Sequence, residues 1–364
     1  MPNKKIIVSV SNDLSNDQRV HRVCSSLTEF GYEVVLCGRK QKNSPAINRQ
    51  YKTKRFRLLF NKGMMFYACL NARLLCYYIF NKVDLILAND LDTLASAGIT
   101  SKLKRCKIIY DSHELFTEVP ELENKPSKKK IWLKIEKRFI KRTSASYTVC
   151  QPIADYYNSL YDINMQVIRN LPKLRSFSDD YETRPKLLIY QGALNKERGI
   201  EIMIQVLQYI PDYQLVIAGK GDLEKELIQL TNELNLNNKV QFTGNLDFEA
   251  LYNLTKTARI GFSLEQGTSL NYKYSLPNKI FDYIQAGVPI ICSGLPEMSK
   301  IVEKYECGTI AKTSNPQELA KFLKSLLDNN IQINKFHQNC KIAAKELDWE
   351  NEEKILKEIF ASLL

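Results

Sequence analysis

The sequence predicts an α/β protein built from two Rossmann-like, doubly wound parallel-sheet domains facing a cleft. Three observations point there. At 364 residues the chain exceeds the usual length of one domain. Short, fully apolar, β-branched runs alternate with helical periods, as in parallel strands covered on both faces. The alternation then stops at a polar stretch after residue 171 and begins again.

Along the chain, "KIIVSV" is the first strand, followed by a polar loop and a helical pattern that leads into "EFGYEVVLCG", a second strand. This is a β-α-β unit. "VDLILAND", "CKIIYDSHE" and "ASYTVCQ" continue it, so residues 1–171 form the first domain. "KLRSFSDDYETRP" is polar, has no period and ends in proline, which makes residues 172–186 a linker. Residues 187–345 restart the pattern with the strands "KLLIYQGAL", "YQLVIAGKG" and "KVQFTG", spaced by the helices "IEIMIQVLQYI" and "DLEKELIQLTNEL". Residues 346–364 close the chain with an amphipathic helix of about 15 residues. Open parallel sheets bind ligands beyond the carboxyl ends of their strands, so the strand-exit loops hold the candidate site.

An apolar content of 44% with 25% charged residues and no biased tract excludes disordered and fibrous classes. Charge is uneven: residues 1–150 carry 28 Lys and Arg against 13 Asp and Glu, and the remainder 24 against 27. The basic first part therefore suits an anionic partner such as a membrane surface, a phosphorylated substrate or nucleic acid. Nine dispersed cysteines without a C-x-x-C pair read as free thiols in a reducing compartment. "MPNKKIIVSV" is too short an apolar run for a signal peptide, and "GMMFYACLNARLLCYYIF", interrupted by Asn71 and Arg73, falls short of a spanning segment. A cytoplasmic protein is expected. In "KPSKKKIWLKIEKRFIKR", Ile131, Trp132, Ile135, Phe139 and Ile140 share one face with Glu136 in its middle. Insertion in lipid would penalise that acid, so the helix is expected to pack on its own sheet, with lysines 128–130 free for anionic lipid.

Several stretches carry chemistry. In "SLPNKIFDYIQAGVPII", Ser275 suits a cap, Pro277 a first turn and Gly287 the exit of a helix over 277–286. Its N-terminus, with Lys279, suits a phosphate, and Asp282 lies within one turn of Asn278 and Lys279, where a carboxylate can accept from a ribose diol. In "YQGALNKERGIEI", Gly192 is followed by Lys196 and Arg198, cations placed for a pyrophosphate where a strand exits. Gly219 of "VIAGKGD" permits close backbone approach, and Phe242 and Thr243 of "VQFTGN" border a candidate nucleobase site. In the first domain, "IIYDSHELF" places His113 and Glu114 just past a buried strand, as candidates for catalytic or sugar contact. "SNDLSNDQRVHRV" offers Asn16, Arg19 and Arg22 to an acceptor, with a solvated helical face as the equal alternative for the two arginines. No G-x-G-x-x-G appears, so the dinucleotide fingerprint of an oxidoreductase is missing. "NDLDT" reads D-x-D but lies outside the second domain.

Taken together, these stretches resemble the retaining GT-B glycosyltransferases of family 4, which use nucleotide-sugar donors. "GALNKERGIEIMIQ", "LVIAGKGDLEKEL", "VQFTGNLDFEALYNL" and "SLNYKYSLPNKIFDYIQAGVPIICS" follow that family's order and spacing, and "YDSHELF", "SYTVCQPIADYY" and the closing helix are similar to it. The resemblance implies that the first domain binds the acceptor, the second the nucleotide-sugar, and that the last helix packs back on the first domain. It gives Arg198 the donor diphosphate, Asp282 the ribose as second acid of the E-x7-E motif, and His113 the transferred sugar. The first acid of that motif falls at Tyr274, with Glu265 or backbone groups as substitutes, and the arginine of the family's "GRL" is Ala193. The expectation is a hexosyl transferase with a UDP- or GDP-sugar donor. Its acceptor is a glycolipid or cell-surface polysaccharide precursor, and it acts without metal or nucleic acid at the inner face of the cell membrane. Arg198, Lys279 and the helix N-terminus would stabilise the leaving group. A nucleotide-sugar isomerase or epimerase of the same architecture, or a non-catalytic nucleotide or nucleic-acid binder, are the alternatives.

Overall fold

A computed structural model describes residues 4–15, 17–177 and 181–363. It divides into two compact units, Met1–Asn170 with Glu352–Leu364, and Leu171–Asn351.

Among the described residues, the first unit contains seven strands: β1 (Lys5–Ser9), β2 (Glu33–Arg39), β3 (Lys52–Phe56), β4 (Leu85–Asn89), β5 (Lys107–Ser112), β6 (Ala145–Thr148) and β7 (Met165–Val167). They form one sheet in the order β3-β2-β1-β4-β5-β6-β7, every pair parallel. Ile6, Ile7 and Val8 of β1 and Leu85, Ile86 and Leu87 of β4 are fully buried, as expected for central strands covered by helices on both faces. β3, "KTKRF", has no apolar alternation and no strand is predicted there. It pairs only with β2 at the sheet edge, where charged side chains remain solvated and discourage further pairing.

The second unit repeats the plan with β8 (Leu187–Gln191), β9 (Gln214–Ala218), β10 (Val240–Gly244), β11 (Ile260–Ser263), β12 (Ile290–Cys292) and β13 (Gly308–Ile310). Their order is β10-β9-β8-β11-β12-β13, again all parallel. In each sheet the chain winds outward from its first strand and then crosses to that strand's other side. The crossover creates one switch point at β1/β4 and another at β8/β11, where successive loops part and leave a crevice.

Several local expectations are refined. Within 172–186, Tyr181 and Arg184 are buried in the second unit. The Arg184 guanidinium donates to the carbonyls of Ala258, Ala286 and Gly287, and the Tyr181 ring stacks on His337 at 4.7 Å. The helix Pro126–Phe139 turns Trp132 and Glu136 inward. The Glu136 carboxylate accepts from the hydroxyls of Tyr157 at 3.1 Å and Tyr161 at 2.6 Å. That arrangement explains an acid on an apolar face, because a buried carboxylate needs such donors. The closing helix spans Trp349–Ala361, and its Glu352 accepts from the backbone and guanidinium of Arg169 at 2.7 and 2.8 Å within the first unit.

Candidate functional site

The β8/β11 switch point of the second unit gathers the largest group of the expected residues. β8 ends at Gln191, and Gly192 follows with φ 136°, exposed, its N–H donating to Ala218 O at 2.9 Å. Gly219, at φ 147°, lies against it: a Cβ there would be 1.9 Å from the Gly192 carbonyl oxygen. Only glycine tolerates both the angle and the approach. The Gly219 N–H in turn donates to Gly244 O at 2.9 Å, tying together the ends of β8, β9 and β10.

Beyond β11, Glu265 is 2% exposed and accepts from Ser263 Oγ and Lys279 Nζ, each at 2.6 Å. Arg198 Nη1 is 3.6 Å from the same carboxylate, and its guanidinium lies 5.1 Å over the Tyr272 ring. The Lys279 ammonium sits 4.1 Å over the Tyr190 ring, and a Cβ on Gly192 would be 3.7 Å from it. Burial pushes the Glu265 carboxyl up, but Lys279, Ser263 and Arg198 more than offset this and hold it below its usual range. Burial likewise lowers Lys279, with Glu265 opposing. Two cations against one carboxylate leave a net charge of about one beside exposed Gly192, a setting that attracts an anion.

Lys279, expected as a cation that helps a helix N-terminus hold a phosphate, is buried and already paired with Glu265. The helix itself spans Asn278–Gln285, with Pro277 in the cap position and no side-chain cap bond. Ser275 is not the cap. It lies three residues before the helix, too far to reach its first N–H groups, and its hydroxyl donates to Tyr272 O at 2.8 Å. Asn278 is exposed on the first turn. Asp282 is half-buried and accepts from Gln191 Nε2 at 2.8 Å, while Thr255 donates to Gln191 Oε1 at 2.7 Å. Gln191 thus orients Asp282. The signal for it was a polar residue ending the apolar run "LLIYQ". Tyr190 and Tyr272, also missed, carry no comparable signal, because an aromatic residue in an α/β domain usually serves the core. Lys196 is exposed and makes no part of the buried group. Phe242 and Thr243 lie half-buried on β10, two strands from β8, and the Thr243 hydroxyl donates to Gly244 O at 3.1 Å.

A second cluster lies in the first unit, at the carboxyl ends of β4 and β5. The His113 ring is clamped between two carboxylates, Nδ1 3.2 Å from Asp90 and Nε2 3.2 Å from Asp111. Its backbone N–H donates to Asp90 Oδ1 at 2.8 Å. Asp90 adopts φ 58°, a conformation unusual for a side-chain-bearing residue. Burial pulls His113 down, but Asp90 and Asp111 prevail and raise it to about 10. The ring is an imidazolium at neutral pH, with both nitrogens committed to donation. Glu114 is half-buried, and its carbonyl accepts from Ser112 Oγ at 2.8 Å.

Arg19, expected to face an acceptor, is instead 3% exposed. Its Nε and Nη2 donate to Asp111 at distances from 2.7 to 3.2 Å, and Nη1 donates to Ile168 O at 2.9 Å. The buried carboxylate of Asp111 required a cation, and Arg19 supplies it. Arg22 donates to Asn170. Asn16 lies outside the described residues.

The cluster sets a pH dependence. A histidine that keeps its proton up to about 10 when folded, against 6.5 ordinarily, adds stability that is complete below 6.5 and lost as pH rises towards 10. Asp92, buried and beside Asp90, is raised from 3.8 to about 7, so it opposes folding progressively across that interval as pH rises. Both slopes have the same sign. Urea midpoints are expected to fall from mildly acidic to alkaline pH, and Asp92→Asn should flatten the acidic portion alone. An unchanged profile in Asp92→Asn would remove Asp92 from this account.

Comparisons with known proteins agree along nearly the whole length. Residues 175–347 match the family described as Glycosyl transferases group 1, and residues 17–171 match Glycosyltransferase Family 4. An uncharacterized glycosyltransferase of Methanocaldococcus jannaschii is 26% identical over 206 residues, 53% of this chain and 51% of that protein. The chitobiosyldiphosphodolichol beta-mannosyltransferase of Yarrowia lipolytica is 22% identical over 186 residues, 48% of this chain and 39% of that protein. The matches thus span about half or less of these relatives' lengths. Among solved structures, Anabaena HepE in complex with UDP and glucose superposes with a TM-score of 0.77 at 15% identity, covering 99% of this chain and 100% of that one. At that identity the likeness concerns the fold.

Proposed function

Since the chain belongs to the GT-B glycosyltransferases of family 4, we propose that it transfers a hexosyl group from a nucleoside diphosphate sugar to an acceptor hydroxyl, with retention at the anomeric carbon. The observation that carries this reading is the Arg198–Glu265–Lys279 group beside Gly192 and Gly219. As the bond from the anomeric carbon to the diphosphate oxygen breaks, negative charge collects on the leaving group. Arg198 and Lys279 already stand there, fixed by Glu265 and two aromatic rings, so no reorganisation is needed at that moment. Asp282, oriented by Gln191, takes the ribose hydroxyls. Glu265 is committed to the two cations and serves as their anchor.

UDP-sugars are the first donors to test, because HepE holds UDP, with GDP-sugars next. A glycolipid or polysaccharide-precursor acceptor is favoured by the dolichol-linked substrate in the Yarrowia relative's name and by the basic first unit, which also favours action at the cytoplasmic membrane face. Because protein cations serve the leaving group, turnover is expected to survive chelation of divalent metals.

The test is a thermal-shift series with UDP, GDP and their sugars, since a ligand that binds only the native state raises its stability. Arg198→Ala should weaken donor binding by roughly tenfold to a hundredfold, the range of a lost hydrogen bond to a charged group. Equal affinity in the variant, or no shift with any nucleotide, would refute the reading.

A further inference from the structure

The helix Gly63–Phe80 is apolar on all sides yet only partly covered. Phe66, Leu70, Leu74 and Tyr78 face the core. On the opposite side Met65, Ala68, Ala72, Cys76, Ile79 and Phe80 recur at spacings of three and four, all exposed. Phe80 is 84% exposed and Met65 55%, and Leu59, just before the helix, is 86% exposed. A surface helix ordinarily turns charged residues to water, but here Arg73 is the one charged residue in the whole helix. By length and composition alone the helix would suffice to cross a membrane, contrary to the expectation drawn from Asn71 and Arg73, yet its inner residues are built into the unit's core, so its natural placement is flat against a surface.

Charge identifies that surface. From Val34 to Val83 the sequence contains no Asp or Glu and 11 Lys and Arg. Arg57, Lys62 and Lys82, which border the apolar face in sequence, are exposed. A second copy of this chain would bring like charges together around the apolar stripe, and a neutral apolar partner would leave the cations unmatched. A bilayer of anionic lipid satisfies both halves, with headgroups for the cations and acyl chains for the apolar side chains.

We propose that the outer face of helix Gly63–Phe80, with Leu59 and Phe60, docks on an anionic lipid surface. The lysine-rich helix Pro126–Phe139 is secondary, because it turns Trp132 and Glu136 inward and ties Lys129 to Glu118 at 2.8 Å. The inference stands independently of the transferase reading.

The test is cosedimentation of the full chain with phosphatidylcholine vesicles, with and without phosphatidylglycerol. Binding is expected only to the anionic vesicles and should weaken with salt. Leu59→Asp combined with Phe80→Asp should reduce it by about tenfold or more, with an unchanged far-UV spectrum, as both side chains are exposed. Lys62→Ser with Lys82→Ser should weaken binding without altering the apolar face, and Lys128→Ser with Lys130→Ser should leave it intact. The proposal is overturned if the chain ignores anionic vesicles or the Asp variant binds as well as the parent. It also falls if the parent forms a dimer that the Asp variant dissociates.

Discussion

Arg19→Met is expected to destabilise the protein by about 3–5 kcal/mol, the cost typical of removing one partner from a buried ion pair. Asp111 has no exposed surface, and Arg19 makes three contacts with it while also satisfying the Ile168 carbonyl. In the variant, Asp111 would be left with His113 as its cationic partner. Desolvation otherwise raises Asp111, and Arg19 is foremost in holding it down to about 2. Without the arginine the carboxyl rises, so the variant's deficit against the parent should be greatest near neutral pH and should narrow in acid as Asp111 takes up a proton. Arg19→Met with Asp111→Leu should recover much of the loss, since an apolar pair of similar volume is often neutral. The same double variant should lower the His113 pKa, measurable by NMR titration. A single variant as stable as the parent would show that Asp111 is solvated in a way that its burial excludes.

The fold was legible because its strands announce themselves. "KIIVSV", "VDLILAND" and "KLLIYQG" are central, apolar on both faces, bounded by turns and too short for helices. β3 was not legible, since an edge strand can carry the charges of a loop. At the site, Arg198 and Asp282 could be singled out because each occupies a local pattern of strand exit or helix face. Pairings across the fold could not. Arg19 reads as a solvated helical cation until β5 is placed beside it, and Lys279 reads as a helix-terminal cation until β11 delivers Glu265 to it, 14 residues away in sequence. Electrostatic roles depend on which opposite charge the tertiary structure supplies, and that information lies outside any local window. Ser275 failed for a smaller reason. Its type suits a cap, but a cap also requires adjacency to the first turn, and Leu276 and Pro277 intervene.

Glu265→Gln carries the second large effect. The change preserves shape and an acceptor for Ser263, but it leaves the Lys279 ammonium, 7% exposed, without its carboxylate and Arg198 without the charge 3.6 Å away. A loss of about 3–5 kcal/mol is expected, as for a buried charge left uncompensated. Its pH dependence should have its own sign. Lys279 is already lowered by burial, with Glu265 opposing the shift. Removing Glu265 lowers it further, so the folded state gains on the unfolded as pH rises and the ammonium sheds its proton. This rising component should disappear in Glu265→Gln with Lys279→Met. Donor binding then separates the anchor role from direct sugar contact. If Glu265 only holds the cations, an arriving diphosphate supplies the missing negative charge, and UDP should raise the melting temperature of Glu265→Gln by more than it raises that of the parent. A smaller rise would place Glu265 itself against the donor and reduce the cations to its supports.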